Sequence, residues 1–70
     1  MAVEGNYPYR RASHLVGEVR AYSWSFINQE TGSMVEPNVL AKRYGWEHPV
    51  ETWDDLDVFS DWLRERGVIE

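Results

Sequence analysis

Cysteine is absent from the 70 residues, which excludes a disulfide framework and any thiolate nucleophile. Small secreted domains of this length usually depend on such staples. The composition therefore points to a reducing compartment, in a bacterial setting the cytoplasm. No apolar run approaches the ~18–20 residues that span a bilayer. Met1–Glu18 contains no apolar stretch of the kind a secretory leader needs, so neither a leader nor a membrane partner is expected.

Catalytic equipment is equally sparse. The only imidazoles are His14 and His48, too few to assemble a metal centre without thiolates. Asp54, Asp57 and Asp61 could approach a hard cation, but they lack the loop and the glycine of an EF-hand. Gly17, Gly32 and Gly45 stand singly, so no glycine-rich phosphate loop is present. The five Ser and two Thr hydroxyls have no partner at the spacing of a nucleophile and its activating base. The expectation is a noncatalytic protein with no cofactor and no metal.

What is present is aromatic residues and charge. Four Trp, four Tyr and two Phe are enough to build the core of one small domain, since each large ring can bury ~150–250 Å². The net charge of −5 is unevenly distributed. Up to Trp46, five bases outnumber four acids; from Glu47 onward, eight acids face two bases. Such a layout suits an acidic end that meets something positive, although a solvated helix face would look the same.

The last third carries the clearest structural signal. Thr52 is placed as an N-cap with Asp55 three residues on, an acidic variant of the capping box. On a helical wheel Leu56, Val58, Phe59, Trp62 and Leu63 cover an arc of roughly 160°. Asp54, Asp57, Asp61 and Glu65 gather on the opposite side. Gly67 follows as a left-handed stop, and Val68 is placed to touch Leu63 as in a Schellman ending. A shorter helix is expected over Pro37–Tyr44, with proline at its first position and Gly45 as its stop.

Arg10–Val35 admits two readings. Ala12, Leu15, Val16, Val19, Tyr22, Phe26 and Ile27 would line one face of a helix. Alternatively, Tyr22, Trp24 and Phe26 alternate as on a strand, with β-favouring residue types. Asn28–Gly32 reads as a turn closing on a left-handed glycine before a returning strand, Ser33–Val35. This favours a hairpin over about Val19–Val35, preceded by a helical turn or two. The expected fold is therefore α+β: a flexible arm over residues 1–9, then one small domain over 10–70 with a hairpin, a short helix and a C-terminal amphipathic helix. The alternative is a three-helix, all-α fold with a helix from Arg11 to Asn28.

The function expected of such a chain is binding. Asp54, Asp57, Asp61 and Glu65 recur at i,i+3 and i,i+4, where like charges cost an isolated helix ~0.2–0.5 kcal/mol per pair. A protein partner with a basic surface would turn that repulsion into complementarity. Trp24 and Trp46 are candidate anchors, because Trp dominates interface hot spots. Very small, acidic, Trp-rich, cysteine-free chains resemble the inhibitors that bacteriophages and mobile elements direct against host machinery such as RNA polymerase. That resemblance implies a regulator of host transcription. A second reading is nucleic-acid binding. Pro37–Trp46 resembles the opening helix of helix-turn-helix proteins over about ten residues, and Arg10, Arg11, Arg20, Lys42 and Arg43 would supply the phosphate contacts that dominate such affinity.

Overall fold

Gly17-Glu18 sits between two β-branched residues, Val16 and Val19, and there the chain reverses. In the computed structural model, which describes residues 7–70, β1 (Tyr9–Val16) and β2 (Val19–Asn28) form an antiparallel hairpin. Gly17 has φ +63° and Glu18 a negative φ, the pattern of a two-residue type II′ loop whose twist suits strands. The helical turn expected ahead of Val19 is thus a strand, and the all-helical alternative does not hold. The residues from Arg11 to Asn28 that could wrap an amphipathic helix instead form a hairpin, because a tight glycine turn puts Val16 opposite Val19.

β2 then turns back through Asn28–Gly32 to β3 (Met34–Val35), giving a sheet in the order β1-β2-β3. The Asn28 side chain accepts hydrogen bonds from the Glu30 and Thr31 amides at 2.8 and 3.1 Å, and the Gly32 amide donates to the Asn28 carbonyl at 2.7 Å. Gly32 is left-handed, φ +80°, as the sequence requires.

The arm expected over residues 1–9 is corrected at its inner end, and residues 1–6 lie outside the described residues. Tyr9 opens β1 and is buried in the core. Its amide donates to the Val68 carbonyl at 3.2 Å, and its hydroxyl accepts from Arg43. The Gln29 amide and side chain hold the Pro8 and Tyr7 carbonyls at 2.8 and 2.7 Å. Pro8 removes one donor but leaves these acceptors, so the segment docks rather than trails.

The helices follow their signals. α1 (Pro37–Tyr44) starts on proline and stops at Gly45. α2 (Trp53–Glu65) has the reciprocal capping box of Thr52 and Asp55. At its end the Val68 amide donates to the Leu63 carbonyl and the Gly67 amide to the Arg64 carbonyl, at 3.0 and 3.1 Å, which is the Schellman pairing. Both helices cover the face of the sheet that carries Tyr9, Trp24 and Phe26. With Leu40, Ala41, Val50, Leu56, Phe59, Leu63, Val68 and Ile69, the buried Tyr9 and Phe26 form one core, and Trp24, Val35, Tyr44, Trp46 and Trp62 pack around it half-buried.

The helical layer does not reach the tip of the β1-β2 hairpin. Leu15 and Val19 there are 67% and 68% exposed. The β1-β2 pairing also shifts register between Arg11 and Ser13, where Ala12 of β1 faces three β2 residues, Ser23 to Ser25. Such irregularities increase strand twist and re-aim side chains.

The cap has a pH consequence. The Asp55 carboxyl lies below its ordinary value, chiefly because the Glu51 amide donates to it; burial opposes this, while the Thr52 amide, the Thr52 hydroxyl and the charge of His48 lower it further. A carboxylate held down in the folded state stabilises fully above its unfolded value, about 3.9 for Asp, and that contribution is lost as pH falls through the depressed value. Acid titration of unfolding is expected to show a smaller loss below that range for Asp55→Asn than for the native chain. Parallel curves would mean that the cap carboxylate does not contribute to the acid limb.

Candidate functional site

α2 is turned differently from the wheel expected of its sequence. The buried arc is Leu56, Phe59, Ser60 and Leu63, whereas Val58, expected among the apolar residues, is largely exposed. Ser60 is the reason. Its hydroxyl accepts a 3.1 Å hydrogen bond from Arg11 of β1, so a polar residue faces the sheet and the helix rotates to present it. Arg11 spans two strands and the helix: its guanidinium also lies 5.0 Å from the Tyr22 ring centroid and 6.0 Å from that of Phe26.

The rotation leaves Asp54, Asp57, Asp61 and Glu65 exposed together on the outer face of α2. Asp57 sits 3.6 Å from the Arg11 guanidinium, and Asp61 accepts a 2.6 Å bond from Arg64. Both carboxylates remain mostly open, at 70% and 74% exposure, so the pairs are screened by water and contribute little to stability. Val58 and Trp53 flank the stripe on either side by helical position, and each exposes about half its surface.

The expected aromatic anchors are placed elsewhere. Trp24 packs edge-on to Trp53 with ring centroids 5.1 Å apart. Trp46 lies against His48, Phe59 and Trp62 at 5.3, 5.7 and 5.1 Å, and Arg66 covers Trp62 at 3.9 Å. Trp24 and Trp46 are thus half-buried supports of the core. Trp53 is the exposed ring beside the carboxylates. Its position at the start of the helix, next to Asp57 on the wheel, was the available signal, and the wheel drawn from apolar residues alone passed over it.

The five basic residues do not form one patch. Arg10 and Arg11 from β1, Arg20 from β2 and Arg64 from α2 line a single concavity of about 380 Å³ together with Ser13 and Tyr22. Lys42 and Arg43 lie instead beside a separate depression on α1, with Asn38 and Val39. Arg64 was missed because it lies 44 residues from Arg20 in sequence, and only the packing of α2 on the hairpin joins them. Among the described residues no group of three or more His, Asp or Glu is arranged to hold a metal ion, and no helix is long and apolar enough to cross a membrane.

No protein-family model, curated protein or solved structure matches this chain.

Proposed function

We propose that this protein is a noncatalytic regulator that docks on the basic surface of a partner protein through the outer face of α2. The observation that carries this reading is the grouping of four exposed carboxylates, Asp54, Asp57, Asp61 and Glu65, between two half-exposed apolar residues, Trp53 and Val58. Carboxylates select and steer a cationic partner, and a Trp at the border supplies the apolar anchor that charge alone lacks. Arg64 pairs with Asp61 from within the helix and Arg11 reaches Asp57 from β1, yet both carboxylates stay mostly exposed, so their charge is open to a partner.

A partner of this kind is an enzyme that grips nucleic acid, whose basic channel the stripe would occupy in the manner of small inhibitors of host RNA polymerase, acting in the cytoplasm. The helix-turn-helix reading has weaker support. The helix that follows α1 presents acids outward, and Lys42 and Arg43 are separated from the other arginines.

The test is affinity capture from a bacterial lysate with the native chain and with Asp54→Lys/Asp57→Lys/Asp61→Lys as baits, followed by titration of the captured protein. The reversed variant is expected to weaken binding at least tenfold, ~1.4 kcal/mol, and native binding is expected to fall with added salt. Equal retention of the same proteins by both baits would show the stripe to be ordinary solvated surface.

A further inference from the structure

Seven Lys and Arg residues serve the whole chain against twelve acids, yet four of the seven line one concavity. Guanidinium groups left to themselves on a surface move apart. Here three of them are held by neighbours: Arg11 donates to the Ser60 hydroxyl, Arg20 to the Ser13 hydroxyl at 3.1 Å, and Arg64 to Asp61 and to the Glu70 carbonyl, the latter at 3.1 Å. Each bond uses one or two of the five N–H donors that a guanidinium carries, which fixes the fork and leaves donors over. The Arg11 Nε is buried with no acceptor, so the donors Arg11 can offer in the concavity are those of its terminal nitrogens.

We propose that this concavity is a phosphate-binding site that takes a small phosphate ester. The arginine fork matches the oxygens of a phosphate in a bidentate manner, and Ser13 and Tyr22, which share the lining, carry neutral hydroxyl donors. The charge is suited to a dianion. Among the lining residues Glu70 offsets one of the four arginines, and Asp57 and Asp61 partly engage Arg11 and Arg64 from α2. Of the four lining arginines, Arg10 and Arg20, on the two strands of the hairpin, have no carboxylate pair among the described residues. The volume of about 380 Å³ lies in the range of small-ligand sites, ~300–1,000 Å³. A nucleic-acid strand would need a continuing basic track, and the next cations, Lys42 and Arg43, line a different depression.

Nuclear magnetic resonance titration of the full chain with inorganic phosphate, adenosine monophosphate and a single-stranded oligothymidylate tests the site, with chloride at matched ionic strength as control. Inorganic phosphate and the nucleotide are expected to shift the Arg11 Nε–H and Tyr22 signals saturably and to compete with one another. Arg20→Gln and Arg10→Gln leave α2 untouched, so a loss here is separable from failure of the protein-docking reading. Each is expected to weaken binding roughly tenfold, the loss typical of one charged hydrogen bond, with amide shifts outside the hairpin unchanged. The proposal is overturned if chloride reproduces the shifts, if the two variants bind as the native chain does, or if only the oligonucleotide binds.

Discussion

Phe59→Ala is expected to leave the chain largely unfolded near body temperature, whereas Val58→Ala, one residue away, is expected to be almost silent. Phe59 is 0% exposed and Val58 56% exposed. The Phe59 ring meets Phe26 edge-on at 6.0 Å, stacks near Trp62 at 5.9 Å and leans on Trp46 at 5.7 Å. It therefore joins the sheet, α2 and the loop before α2 in one contact. Truncating such a ring costs ~3–5 kcal/mol, while a domain of this length holds only ~4–10 kcal/mol in total. The midpoint of thermal unfolding should fall by roughly 15–35 °C. Loss of an exposed valine's methyl groups should stay within ~0.5 kcal/mol. Urea unfolding followed by Trp fluorescence distinguishes the two. Comparable losses would mean that α2 is not rotated as Ser60 and Arg11 set it.

This pair also marks where sequence reading reaches its limit. The helix boundaries were legible because their signals are local: Pro37 and Gly45 bracket α1, and Thr52, Asp55 and Gly67 bracket α2. So was the turn at Asn28–Gly32, whose side-chain bonds stay within three residues of Asn28. The rotation of α2 was not legible. It depends on Arg11 donating to Ser60, 49 residues away, and an apolar wheel has no term for a serine that is buried because an arginine reaches it. β1 was missed for a related reason. Its Arg10, Arg11, Ser13 and His14 interrupt any clean alternation, and the deciding signal was the Gly17-Glu18 turn, two residues that specify a hairpin only when Val16 and Val19 are read as a pair.

The candidate surfaces divide along the same line. The carboxylates of α2 lie on one element, so their spacing alone placed Asp54, Asp57, Asp61 and Glu65 together, and they emerge together. The arginine concavity draws on β1, β2 and α2. Grouping the basic residues by sequence half joined Arg10, Arg11 and Arg20 to Lys42 and Arg43 and left out Arg64. The two surfaces nonetheless meet at Arg11–Asp57 and Arg64–Asp61.

Asn38→Ala is expected to cost ~2 kcal/mol, the value of two hydrogen bonds lost with their backbone partners left behind. The Asn38 amide on α1 donates to the Val50 carbonyl at 3.1 Å and accepts from the Val50 amide at 2.9 Å. It thereby closes the loop between the helices as a neighbouring strand would, and it seats the buried Val50 side chain in the core. Alanine leaves both backbone groups dependent on whatever water can reach them. The fall in thermal midpoint should be on the order of 10 °C, and hydrogen exchange at the Val50 amide should accelerate more than at the Leu56 amide within α2. Asn38→Asp isolates the donor. The carboxylate still accepts from the Val50 amide but opposes the Val50 carbonyl, so the variant is expected to stay less stable than the native chain. Urea unfolding of the native chain, Asn38→Ala and Asn38→Asp checks this. Native-like stability of Asn38→Asp would mean that the Val50 carbonyl takes its hydrogen bond from solvent, and that the staple rests on one bond instead of two.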